Sequence, residues 1–467
     1  MTSLGPIFAD DLARVKPGDR LRLTISAQTS DAAALAQAAL EARARGERVL
    51  VVCAAPADVP RLAQEMPWFE PKLDVRPLPD WETLPYDVLS PQEELVSERL
   101  EALYRLTAPT GGADVLLTSA VTASQRLSPV SYIGANTFFF HQGEQISLTT
   151  LQKRLAAAGY ANVKQVLAAG EFAVRGSIVD VFPMGSERPF RLDFFDDEIE
   201  SIRWFDVDTQ RSMESAEEIR LLPGHEFPVD PEALLAFRQR WRREFAGDPK
   251  KSIVYCDIEK EILPPGIEYY LPLFFDETAA LTDYLPPNAR VFLLGDIEAA
   301  LQAFGRDMAS RYKVFAADPQ RPALAPERIW LKPEEFFKSL ANFARFTVEK
   351  KENAEDLKRL SGIEVDRKSQ NPVGKLLERT RESAMKGVRT LIAAPSAGRM
   401  ETMSQLLRTG GLSVEEFPDW QTFLEADSAL GIAAAPLFSG AVFHHPEIVI
   451  LSEAELYAAS PRRHRLR

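Results

Sequence analysis

Short apolar runs alternating with helix-length segments over residues 1–135 constrain this chain more than any other feature. Leu21–Ile25 and Arg48–Cys53 bracket the alanine-rich stretch Asp31–Arg45. Ser30 stands ready to cap that helix, Asp31 suits its dipole, and Gly46 ends it. A second helix over Pro56–Met66, a third near Gln92–Thr107 and the run Asp114–Thr118 continue the pattern. Strands alternating with helices predict a mainly parallel sheet between helical layers, an α/β fold.

From 136 to 222 the pattern changes. Thr149–Gly159 reads as a helix, and Phe172–Phe182, Phe190–Phe195 and Ile199–Phe205 read as short strands joined by tight turns. Their spacing predicts an antiparallel meander, a small α+β insert domain. Residues 223–345 return to a mixed reading, with strands expected at Ser252–Tyr255 and Arg290–Leu294. The charged, apolar-poor stretch from Glu349 to Arg367 reads as a linker at 346–365. Residues 366–467 are again α/β, with strands at Arg389–Ala394 and Glu447–Leu451 and a helix at Met400–Leu407. A chain of 467 residues is too long for one core, which agrees with this multidomain division.

Charge and motifs narrow the function. A formal net charge of −13 disfavours a surface that neutralises many phosphates. Both cysteines, Cys53 and Cys256, lie in apolar runs without metal-ligand spacing, which fits a reducing, cytoplasmic setting. No run has the length of a membrane span, and no basic start precedes an apolar stretch. The first strand–turn–helix invites a phosphate-binding loop, but the turn Ser26-Ala-Gln28-Thr29-Ser30 has neither glycine nor lysine. Without exposed backbone N–H groups and a lysine for the β/γ phosphates, nucleotide hydrolysis is not expected there. Asp296 and Glu298, after the run Val291–Leu294, read either as a helix cap or as the remnant of a metal site. No catalytic constellation stands out.

The insert offers a binding face instead. In Phe190-Arg-Leu-Asp-Phe-Phe195, Phe190, Leu192 and Phe194 share one side, and Arg191, Asp193 and Phe195 share the other. The first side is a core face. The second pairs an arginine with a large aromatic, the residue types that dominate protein interfaces. Arg175 can lie on the same surface. From the alternation alone two readings stand level: a docking face, or an Arg191 paired within the sheet and a Phe195 tucked under a loop. The neighbouring acids Asp193, Asp196, Asp197, Glu198 and Glu200 favour a protein over a nucleic acid as partner.

Longer motifs carry a resemblance. Asp80-Trp-Glu-Thr-Leu-Pro-Tyr-Asp87, Gly170-Glu-Phe-Ala-Val-Arg-Gly-Ser-Ile-Val-Asp-Val-Phe-Pro183, Arg191-Leu-Asp-Phe-Phe-Asp-Asp-Glu-Ile199 and Phe205-Asp-Val-Asp-Thr-Gln210 resemble the bacterial transcription-repair coupling factors, the Mfd family. Gly266-Ile-Glu-Tyr-Tyr270 and Asp283-Tyr-Leu-Pro286 belong to the same pattern, which spans essentially the whole chain. The resemblance implies a UvrB-like, helicase-like α/β domain with degenerate nucleotide positions (domain 1a, 1–135), domain 2 (136–222), domain 1b (223–345) and domain 3 (366–467). It implies that domain 2 recruits the excision-repair protein UvrA through Arg175, Arg191 and Phe195. Ser26, Gln28, Thr29 and Ser30 take the phosphate-loop position, and Asp296 and Glu298 the acidic-box position, so no cofactor is expected in this segment. In the family, ATP and magnesium serve a downstream motor that translocates double-stranded DNA, beside an RNA polymerase interaction domain. A C-terminal domain there covers the UvrA face. The rival reading is a UvrB-like ATP-dependent damage-binding protein.

Overall fold

A computed structural model describes residues 4–5, 7–8, 10–108, 112–366 and 368–457. The chain divides into two compact units, one formed by residues 1–75, 288–295 and 343–467, the other by residues 76–287 and 296–342.

In the first unit, the strands Arg20–Ser26, Ala344–Lys351, Arg290–Leu294 and Val49–Cys53 lie side by side in that order, all parallel. Every residue of Val49–Cys53 and of Arg290–Leu294 is buried, as expected of central strands covered on both faces. Helix α1 (Asp31–Ala44) follows the first strand, with the Ser30 hydroxyl accepting from the Ala33 amide. Its interior face is alanine, so it packs close to the sheet, and Gly46 at φ +68 gives the left-handed exit. Helix α2 (Asp58–Phe69) buries Val59, Leu62, Met66 and Phe69. Beyond residue 366 a second sheet runs Glu415–Phe417, Leu430–Ala434, Arg389–Ala394, Glu447–Leu451 and Ala441–His444. Its first four strands are parallel and the last is antiparallel. Trp68 and Phe69 of α2 meet Trp420 of this domain at 5.5 Å each, and the Trp68 indole donates to the Ala434 carbonyl.

The second unit has a helical body whose core gathers Trp81, Phe227, Phe237, Trp241, Tyr255, Tyr269, Tyr270, Phe274 and Trp330. Arg99, fully enclosed, donates to Glu226, Gln125 and the Pro79 carbonyl, and the Trp81 indole also reaches Glu226. A buried guanidinium survives only with partners of this kind. The insert grows from this body as a six-stranded sheet ordered Ser212–Ala216, Glu198–Phe205, Phe190–Phe195, Ile178–Val181, Glu171–Arg175 and Ala161–Asn162. Neighbours pair antiparallel except the last two, and the helix Leu148–Ala157 accompanies the sheet.

Two expectations are corrected. Ser252–Tyr255 is not a strand. The Ser252 hydroxyl caps a helix over Ile253–Glu259, in which Val254, Tyr255 and Ile258 are buried. The stretch expected as a linker begins inside the strand Ala344–Lys351 and then forms the helix Ala354–Leu360, whose Asp356 is fully enclosed. Parallel pairing to Arg20–Ser26 satisfies the backbone of that charged strand.

Candidate functional site

The insert sheet builds its face from strand register. Val181 pairs with Phe190 and Val179 with Leu192, so the apolar positions align beneath the sheet and Phe190, Leu192 and Phe194 are buried. On the opposite side Asp180 pairs with Arg191, and Arg175 lies one pair along, across from Ile178. The Asp180 carboxylate is 1% exposed and serves two guanidinium groups. Arg191 donates to it through Nε at 2.7 Å and Nη2 at 2.9 Å, and Arg175 donates through Nη2 at 2.6 Å. Arg191 Nη1 reaches the Gln210 carbonyl and the Ser212 hydroxyl, both at 3.2 Å, and its guanidinium lies 4.9 Å from the Phe205 ring. Those Asp180 hydrogen bonds outweigh the opposing effect of burial and push the Arg191 guanidinium above its ordinary range.

The three residues singled out by sequence therefore differ in exposure. Arg191 is largely covered, with 16% of its side chain accessible, and does pair within the sheet, although with Asp180 rather than beside Asp193. Half of the Arg175 side chain remains open. Phe195 is 69% exposed at the end of its strand, where it pairs with Glu198 across a turn whose Asp196 has φ +52. No loop covers it. The result is a fixed cationic pair and a projecting ring on one small sheet, bordered by exposed Asp196, Asp197, Glu198 and Glu200. The sequence reading missed Asp180, which becomes legible only through cross-strand register.

The turn after the first strand is closed by its own polar groups. Ser26 Oγ donates to Gln28 Oε1 at 3.2 Å, and the Gln28 amide donates back to Ser26 Oγ. Next to Ser30, the Asp31 carboxylate is 2% exposed. It accepts from the Ala32 amide at 3.0 Å and from both terminal nitrogens of Arg61 at 2.8 Å, and it meets Lys350 Nζ at 2.7 Å. Burial alone would push this carboxyl up, but Arg61 and Lys350 outweigh it and hold the group below its ordinary value. Arg61 is shared further with Asp58 and Glu65. A cavity of about 150 Å3 adjoins this network.

The other sequence candidates have plain roles. Asp296 accepts from the Ala299 amide at 2.9 Å and caps the helix Ile297–Phe315, and Glu298 accepts from Gln302 within it. Burial pushes the Cys53 thiol up to about 12, which suits a core residue rather than a nucleophile. Among the described residues no group of three or more His, Cys, Asp or Glu could hold a metal ion, and no helix is long and apolar enough to cross a membrane. In the second unit a cavity of about 250 Å3 is lined by Ser90, Glu93, Met184, His225 and Glu268 among others. Burial raises the Glu268 carboxyl to about 7 and lowers the His225 imidazole to about 4.

Comparison with known proteins agrees with this architecture. A model of the UvrB interaction domain matches residues 138–227, and a model of the D3 domain of MFD matches residues 384–456. The observed α/β sheets and the two domain-model matches together define a UvrB-related, multidomain α/β protein. The transcription-repair-coupling factor of Escherichia coli K12 is 43% identical over 286 residues, covering 61% of this chain and 25% of that protein. Its counterpart in Haemophilus influenzae is 40% identical over 344 residues, 72% of this chain and 29% of that protein. The Bacillus subtilis protein is 32% identical over 216 residues, 43% of this chain and 18% of that protein. The chain is thus similar to the transcription-repair-coupling factors, with a UvrB interaction domain followed by an MFD D3 domain. The matched stretch covers between 18% and 29% of the length of these relatives.

Proposed function

We propose that the insert is a docking module for UvrA, and that this region contributes binding energy rather than chemistry to the coupling of repair with stalled RNA polymerase. The observation that carries the reading is the projecting Phe195 ring on the same face of the sheet as two guanidinium groups fixed on one buried carboxylate. An aromatic that is covered only on binding supplies the anchor, and the free edge of Arg175 supplies a charge-assisted donor to a carboxylate on the partner. Arg191, with Nε, Nη1 and Nη2 already engaged, keeps the Asp180 clamp in place. Little side-chain entropy is lost on docking, because the cationic pair is held before the partner arrives.

A UvrB-like ATPase is the weaker reading. The turn Ser26–Ser30 offers no lysine, and every nitrogen of the Arg61 guanidinium donates to Asp31, Asp58 or Glu65. ATP, magnesium, double-stranded DNA and RNA polymerase are assigned in this reading to further domains of the complete protein. There a C-terminal domain covers the face until it is needed.

The test is retention of UvrA by the immobilised chain. Wild type is expected to retain it, and an Arg175→Ala, Arg191→Ala double variant to retain at least ten-fold less at equal concentration. Equal retention by a double variant that melts like wild type would overturn the assignment.

A further inference from the structure

The cleft beside α1 stands at the end of a parallel strand, where related folds receive a phosphate on the first amides of a helix. Here that position already holds a negative charge. The Asp31 carboxylate accepts the Ala32 amide at the start of α1, takes both terminal nitrogens of Arg61 from α2, and meets Lys350 from the adjoining parallel strand. Three separate elements are thereby tied to one anion, as a bound phosphate would tie them.

The domain of residues 368–457 closes over the same place. The Val442 amide donates to the Gln28 carbonyl at 2.9 Å, and Thr29 Oγ1 donates to the Val442 carbonyl at 3.3 Å. The Phe438 amide donates to Glu65 Oε1 at 3.1 Å, and Glu65 itself is held by Arg61 at 2.8 Å. Leu437, Ser439, Gly440 and Ala441 line the cavity next to Asp31 and Arg61. The order of contacts runs from Asp31 through Arg61 and Glu65 to the segment 437–442. Its carboxylates Asp31, Asp58 and Glu65 already engage Arg61 and Lys350, so the lining holds no surplus positive charge for a polyphosphate.

We propose that Asp31 is the permanent anion of this cleft, a covalently attached substitute for a phosphate that holds the cleft closed and keeps the C-terminal segment 437–442 seated without any nucleotide. The domain of residues 368–457 thereby gains a role: it docks on this cleft, and Asp31 sets how firmly.

Hydrogen exchange on the full chain tests this. In Asp31→Asn, which keeps the shape of the side chain and removes its charge, peptides spanning 437–442 are expected to exchange at least ten-fold faster than in wild type. Peptides of the insert strand Phe190–Phe195 keep their rate and report that the rest of the chain is folded. Lys350→Met removes one arm of the network only, and is expected to speed the same peptides several-fold if Asp31→Asn does not fold. Wild type is expected to show no rise in melting temperature with millimolar pyrophosphate. Unchanged exchange at 437–442 in the variant that folds, or a saturable pyrophosphate stabilisation of wild type, would overturn the proposal.

Discussion

Replacing Phe195 by alanine separates docking from folding. The ring is 69% exposed, and a phenylalanine covered in full hides roughly 200 Å2. About two-thirds of that area is still available to a partner, and at ~25 cal/mol per Å2 covering it is worth about 3 kcal/mol. The folded chain loses little by the same change, so the melting temperature moves by less than about 2 °C. Calorimetric titration of UvrA with wild type and Phe195→Ala reads the first quantity, and a thermal melt reads the second. The expected outcome is a Kd weakened roughly 150-fold with an unchanged melt. Phe194→Ala is the contrast, because its ring is 6% exposed and losing such a core ring costs about 3–5 kcal/mol of stability. Equal affinity in Phe195→Ala, or a loss of binding matched by a melt as poor as that of Phe194→Ala, refutes the reasoning.

Other perturbations probe other parts of the account. Asp180→Ala leaves Arg175 and Arg191 without their shared carboxylate; it is expected to destabilise the insert by about 2–3 kcal/mol in urea unfolding and to weaken UvrA binding with it. Glu268 is raised to about 7 in the fold, so the protonated form is the favoured one. Its contribution to stability is whole below the ordinary value near 4.5 and is lost as pH rises through 7. Glu268→Gln is therefore expected to gain on wild type between pH 5 and pH 8, by at most about 3 kcal/mol, in denaturant titrations at both pH values. Gly266 has φ +79, and a Cβ there would stand 2.7 Å from the Asp87 carbonyl oxygen. Gly266→Ala is expected to lower stability by more than about 1 kcal/mol in the same assay.

Much of the scaffold was legible because local chemistry and tertiary packing agree. Ser30 caps α1, Gly46 ends it, and the alternation in Phe190–Phe195 separates a buried face from an open one. Misreadings occurred where one local signal hid another. Ser252–Tyr255 looks β-rich, yet Val254, Tyr255 and Ile258 follow helical spacing and Ser252 caps them. The charged residues after Glu349 suggested a linker, while register along Arg20–Ser26 makes part of that stretch a strand. The candidate site shows the same division. Arg175, Arg191 and Phe195 were visible in sequence, whereas Asp180 sits between two valines and acquires meaning only when three strands are aligned. Asp31, Arg61 and Lys350 lie far apart in the chain, and no short pattern announces that they meet.

The most direct test of the docking claim is a photocrosslinking group in place of Phe195, compared with one in place of Met385, which is 81% exposed on the C-terminal domain. Illumination with UvrA is predicted to give a covalent adduct from position 195 and none from position 385. Capture from position 385 with none from 195 would contradict the account.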